Sequence, residues 1–290
     1  MRVLGVHGVG NHREGVEPDV AAEQLAGVWR RHLGRGPLGA AAEAYELTVA
    51  YYADLLQEAG GQSVGAVTLD DLDAEAEELL RAWLDEQGLP AEPPMGLTAW
   101  PFRQALSWIA NRDLLPPDRV ETFVARLFKE VGAYFSAANG ARRRTAARDV
   151  VLGALRERAP RVVIAHSLGS VVAYEALWRY GDEGGEPVDL LLTLGSPLAL
   201  PHAVFHRLDP APSADGVGAR PPVVRRWVNI ADTGDLVAVP RGGVARRFLG
   251  VDEDVTERIH AFDFHLVANY LATGSVARVL GAEPVTAVAG

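Results

Sequence analysis

The 290-residue chain is 48% hydrophobic and 23% charged, the balance of a globular protein with room for a sizeable core. Its 28 basic residues face 38 acidic ones for a net charge of −10, which argues against nucleic acid as the main partner because phosphate binding needs a basic surface. The absence of cysteine excludes disulfides, thiolate metal sites and cysteine nucleophiles.

In chain order, Val3 to Val6 reads as a buried strand that stops at His7-Gly8-Val9-Gly10, where two glycines let backbone N–H groups approach a ligand. This apolar run is too short for a signal peptide. No stretch approaches the ~18 to 20 apolar residues of a membrane-spanning helix, so a cytoplasmic protein is expected. A helix over Glu17 to Leu33 and a strand over Tyr45 to Tyr52 follow. The segment from Ala53 to Ala138 is a helical insertion. Between Asp54 and Glu92 it carries eleven acidic residues against Arg81 alone, and three amphipathic helices are predicted within it. The last of these, opened by Pro117, presents Val120, Phe123, Val124, Leu127, Phe128, Val131, Tyr134 and Phe135 as one stripe. Two readings of the insertion stand side by side. It is an ordinary helical layer on one face of a sheet, or it is a cap or lid in which Trp83, Trp100, Phe102 and Trp108 line an acyl pocket.

The arginine-rich run from Arg142 to Arg161 reads as the solvated face of a helix. It leads into the stretch on which the rest of the chain depends: strand residues Val162 to Ala165, then His166-Ser167-Leu168-Gly169, then helical spacing. In a strand-turn-helix this tight, the positions two before and two after the serine must be small, and Ala165 and Gly169 comply. The turn holds the Ser167 hydroxyl out above the sheet, with the next amide at a helix N-terminus where developing negative charge is favoured. Further strands are expected at Val188 to Leu194, ending in Gly195-Ser196-Pro197, and at Val223 to Ile230. An exposed loop over 209 to 222 separates them. A last helix is expected from Leu266 to Leu280, followed by a frayed tail. Strands alternating with helices imply one α/β domain over 1–290, a mostly parallel sheet with helices on both faces, and reactive groups at the carboxyl ends of the strands.

A serine needs a base to take its proton and a carboxylate to orient the base. Asp232 and Asp235 both follow a late strand. Asp235 is preferred because the apolar residues after it would anchor it inward, and Asp232 is readily explained as a turn former. His265, at the start of the last helix, is preferred as base over His260. Leu168 and Val9 are the expected amide donors to an oxyanion. His7 and His166, beside these donors, join the aromatic residues as candidates for substrate contact. No metal or cofactor is expected: the pairs His7/His12 and His202/His206 lack the glutamate and third ligand of a zinc helix, and the early glycines form no nucleotide fingerprint.

Together, Val6-His7-Gly8-Val9-Gly10, Ile164-Ala165-His166-Ser167-Leu168-Gly169, Leu194-Gly195-Ser196-Pro197 and Asp235-Leu236-Val237-Ala238-Val239-Pro240 resemble an α/β-hydrolase. Within that superfamily they are most similar to lipases and the GPI inositol-deacylase-like branch. The resemblance runs from the first strand to the last helix, but the insertion carries none of it, and Ala165 stands where many relatives have glycine. It implies hydrolysis of a small-molecule or lipid-like carboxylic ester through an acyl-enzyme, with Ser167 as nucleophile, His265 as base and then acid, and Asp235 as orienter. Thioesterase, acyltransferase or peptidase chemistry would use the same residues, and a catalytically silent scaffold of this fold is the alternative from outside enzymology.

Overall fold

The structure is a computed structural model that describes residues 1–57, 67–90, 101–136, 140–238, 242–259 and 265–281. Its strands are β1 (Arg2–Val6), β2 (Glu46–Ala50), β3 (Val162–His166), β4 (Val188–Leu194), β5 (Gly218–Ala219), β6 (Val224–Asp232), β7 (Phe248–Leu249) and β8 (Glu253–Glu257). Its α-helices are α1 (Pro18–Arg35), α2 (Ala74–Asp85), α3 (Phe102–Arg112), α4 (Pro117–Phe135), α5 (Gly140–Arg158), α6 (Leu168–Asp182), α7 (Gly243–Arg247), α8 (Val267–Leu271) and α9 (Gly274–Gly281). Six strands form one sheet in the order β2-β1-β3-β4-β6-β8, and every neighbouring pair in it is parallel. The two-residue strands β5 and β7 pair separately.

Alternation along the strands builds two cores, one on each face. Leu4, Val6, Val163, Ala165 and Leu191 face a core completed by α2 to α6. Val3, Val162, Ile164, Leu190 and Leu192 face the other, completed by α1, α8 and α9. This is an α/β architecture with helices on both faces. The chain leaves β1 toward the face of α1 and leaves β3 toward the face of α6, although the two strands are hydrogen-bonded neighbours. Connections that diverge in this way open a crevice at the carboxyl ends of the strands. His7 and Ser167 both follow those ends. No helix among the described residues is long and apolar enough to cross a membrane.

Three sequence expectations change in detail. The last helix is two short helices, because the Thr273 hydroxyl donates to Tyr270 O at 2.9 Å and accepts the Val276 amide at 3.2 Å, ending one helix and capping the next. The expected loop over 209 to 222 contains β5. The arginine run is not wholly solvated: Arg144 reaches the buried carboxylate of Glu175 on α6, which also accepts the Tyr134 hydroxyl at 2.6 Å. That cluster ties α4 and α5 to the helix that follows Ser167.

Candidate active site

Ser167 stands where β3 gives way to α6, with φ 55° and ψ −132°. A non-glycine residue in that region is strained by roughly 1–3 kcal/mol and persists only where its surroundings fix it. They do so here through backbone packing. The Ser167 amide donates to Leu194 O at 3.0 Å, extending the ladder between β3 and β4 by one residue. A β-carbon on Gly169 would collide with the carbonyl oxygens of Val6 and His7, and one on Gly8 would lie 2.5 Å from Ser167 Cβ. Behind the turn, the Ser170 hydroxyl donates to Ser167 O at 2.6 Å and lies 2.7 Å from Ser196 Oγ. Leu168 is the first residue of α6, so its amide belongs to the first turn, which has no intrahelical acceptor.

The second part of the site comes from the loop after β6 and from His265, two residues before α8. His265 Nδ1 lies 2.7 Å from Asp235 Oδ2, and both side chains are buried. Asp235 Oδ2 also accepts the Tyr270 hydroxyl at 2.6 Å, and its Oδ1 accepts the Val237 amide at 2.8 Å. Burial alone would raise this carboxyl, but its interactions with His265, Tyr270 and Val237 outweigh that effect and hold it down at about 2. A carboxylate at this position makes Nδ1 the protonated nitrogen of His265 and leaves Nε2 with its lone pair free. Asp232, the other candidate, spends Oδ1 on the amides of Gly234 and Ile259, both at 3.1 Å, as a turn former does.

Gly195 joins the two parts. It follows Leu194, the acceptor of the Ser167 amide, and has φ 53°. A β-carbon there would stand 2.6 Å from Asp235 Oδ2 and 3.1 Å from His265 Nδ1. The His166 ring, adjacent in sequence to the serine, lies 4.7 Å from that of His265. Burial, and then the neighbouring His265, hold His166 well below its ordinary pKa, so it is a neutral wall. Ser167 Oγ and His265 Nε2 are both buried with no hydrogen-bond partner among the described residues. The two atoms do not bond each other, and buried polar atoms left without partners are costly to folding.

The loop after β1 is pinned from several sides. The Tyr52 amide donates to His7 Nε2 at 3.2 Å, which leaves Nδ1 to donate to Gly8 O at 2.8 Å. Burial lowers this histidine to about 4, the bond to Gly8 offsetting part of the shift, so the ring is neutral and both nitrogens serve the backbone. Asn11 Nδ2 donates to Gly8 O at 2.9 Å and to Val9 O at 3.2 Å. In a trans peptide the C=O and N–H point in opposite directions. Fixing Gly8 O toward His7 and Asn11 therefore also fixes the direction of the Val9 amide.

Among the described residues, the aromatic side chains proposed from sequence make their ring and hydrogen-bond contacts with groups other than Ser167 and His265. Trp83 is fully buried in the core under α4 and donates Nε1–H to Leu236 O at 2.8 Å, which anchors the loop carrying Asp235. Phe102 lies beneath the Arg81 guanidinium, and Trp108 beneath that of Arg112. Trp100 and the alternative base His260 lie outside the described residues. The aromatic residue that reaches the site from the insertion is Phe123 on α4, its ring 5.1 Å from that of His265. Phe123, Tyr270 and Glu130, whose carboxylate accepts the Gly10 amide at 2.9 Å, were not singled out from sequence. The stripe on α4 gave Phe123 an inward direction but no neighbour. The rings of His202 and His206 lie 4.9 Å apart, tilted by 49°, and no group of three metal-ligating side chains occurs among the described residues.

No family model, curated protein or solved structure matches the chain. The site therefore stands on its own geometry.

Proposed function

We propose that the protein is a serine hydrolase of the α/β-hydrolase type that cleaves carboxylic esters through an acyl-enzyme on Ser167. The observation that carries this reading is the 2.7 Å bond between His265 Nδ1 and Asp235 Oδ2, formed beside a strained serine whose Oγ is unpartnered, as is His265 Nε2. In the first half-reaction Ser167 Oγ bonds to the ester carbonyl carbon as its proton passes to His265 Nε2. The carbonyl oxygen becomes an oxyanion facing the amides of Leu168 and Val9. The C–O bond to the alcohol then breaks, and the alkoxide leaves with the proton from Nε2. Water completes the second half-reaction by the same route, giving the free acid and regenerating the serine. Asp235 keeps Nδ1 protonated and stabilises the imidazolium without taking its proton. The apolar ring of Phe123 over His265 favours an acyl group over a charged one.

A fluorophosphonate probe tests the reading, because it phosphonylates a serine only where a base and an oxyanion site activate it. Wild type is expected to be labelled and Ser167→Ala to stay unlabelled. Asp235→Asn is expected to slow labelling by roughly 10³- to 10⁴-fold, with Asp232→Asn close to wild type. Equal labelling of wild type and Ser167→Ala would remove the nucleophile, and with it the reading.

A further inference from the structure

The loop that carries Val9 is also held by a group from the helical insertion. Glu130 Oε1, on α4, accepts the Gly10 amide at 2.9 Å across 120 residues of chain. Gly10 has φ 75°, a conformation open to glycine, so the loop's path at this point depends on an external anchor more than on its own sterics. The carboxyl is 7% exposed. Its surroundings are a single backbone donor from the loop, the side chains of Arg126 and Lys129 on α4, and the phenols of Tyr51 and Tyr52 after β2. Seven residues before Glu130, two helical turns along the same face of α4, Phe123 packs against His265. One helix thus touches both the base and the oxyanion loop.

From this geometry we infer that Glu130 is a positioning residue for the oxyanion site, holding the Val9 amide through Gly10 while its charge, when present, opposes the oxyanion. The inference rests on the hydrolase reading above. The hold needs an acceptor oxygen, which a neutral carboxyl still supplies, though more weakly than a carboxylate does. The charge matters separately. An ionised Glu130 places a negative charge one residue from the amide that receives the oxyanion, and like charges at short range in a buried site oppose each other strongly. Burial, partly countered by the Gly10 bond and by Arg126 and Lys129, raises this carboxyl to about 7, so the two forms exchange near neutrality.

Three proteins, wild type, Glu130→Gln and Glu130→Leu, separate these effects. The glutamine keeps the acceptor and lacks the charge, whereas the leucine lacks both. The first readout is hydrogen exchange at the Gly10 amide, which does not depend on catalysis. Protection is expected in wild type and Glu130→Gln, and its loss in Glu130→Leu. The second is the fluorophosphonate labelling rate of Ser167. Glu130→Leu is expected to label about 10- to 100-fold more slowly than wild type. Glu130→Gln is expected to match wild type at pH 6 and to exceed it at least about threefold at pH 8, where only wild type carries the charge. If Glu130→Leu does not fold, the comparison of glutamine with wild type across pH decides alone, and a ratio constant with pH overturns the inference. Equal Gly10 protection, or equal labelling, in folded Glu130→Leu and a labelled wild type also overturns it, while leaving the hydrolase reading intact. A wild type that does not label at all overturns both.

Discussion

The Tyr270 hydroxyl donates to Asp235 Oδ2 at 2.6 Å and accepts the Asp232 amide at 2.9 Å, so one phenol joins the end of β6 to the carboxylate beyond the turn. Burial, and then the negative charge of Asp235, hold the phenol well above its ordinary pKa, so it remains a donor. Tyr270→Phe keeps the ring in place and removes both bonds. The Asp232 amide then loses a buried partner, at a cost of about 1–2 kcal/mol, and Asp235 keeps two of its three donors. The expected result in urea unfolding is a lower midpoint at unchanged slope. Ser167 labelling should slow, but by much less than in Asp235→Asn. Unchanged stability would mean that water replaces the hydroxyl and that the strand end needs no anchor.

Stability against pH should expose the buried titratable groups around the site. His7 is lowered from 6.5 to about 4, and His166 well below 6.5. As pH falls through 6.5 the unfolded chain therefore takes up two protons that the native state does not. Glu130 has the opposite sign: raised from 4.5 to about 7, it keeps a proton in the native state that the unfolded chain releases above 4.5. Between pH 4.5 and 6.5 the unfolded state thus holds the excess, by about one proton, and stability rises with pH. Removing Glu130's opposing contribution with Glu130→Gln should steepen that rise by up to about 1.4 kcal/mol per pH unit. Urea unfolding across this range measures both slopes, and parallel slopes would show that the native carboxyl is already ionised.

What could be read from sequence divides along physical lines. The serine turn is governed by local sterics, so Ala165, Ser167 and Gly169 announce it within five residues, and the collision that a Gly169 side chain would suffer is the same rule seen in three dimensions. The short apolar runs of β1 and β3, buried on both faces, mark the middle of a parallel sheet. Which of Asp232 and Asp235 turns toward His265 is less legible in sequence, because it depends on the path of the loop after β6. The apolar residues after Asp235 were the relevant signal, since the Val237 amide and the Leu236 carbonyl fix that loop. Trp83 shows the limit of periodicity. A helical stripe says that a face is covered but not by what, and the indole expected in an acyl pocket is packed in the core instead. Glu130 carries no local signal and the α4 stripe gives Phe123 only an inward direction, because their neighbours, the Gly10 amide and the His265 ring, are set by how α4 packs.

Phe123 offers the last test, because it belongs to the insertion yet touches His265, the base of the proposed reaction. Ser167 and His265 are 0% and 5% exposed, so a substrate reaches them only past whatever covers them, and the Phe123 ring, 5.1 Å from that of His265, is part of that cover. Phe123→Ala removes the ring and leaves the Asp235–His265 bond, which α4 does not make. The space gained is apolar and lies next to His265, so on the proposed reading it should admit longer acyl groups. Kinetics on esters of short and long acids are expected to show kcat/KM for the long ester rising about tenfold relative to the short one, the worth of one or two methylenes in an apolar pocket. A parallel melting curve guards against a general loosening of α4. An unchanged ratio in a folded variant would remove Phe123 from the acyl path, leaving it as packing for the imidazole.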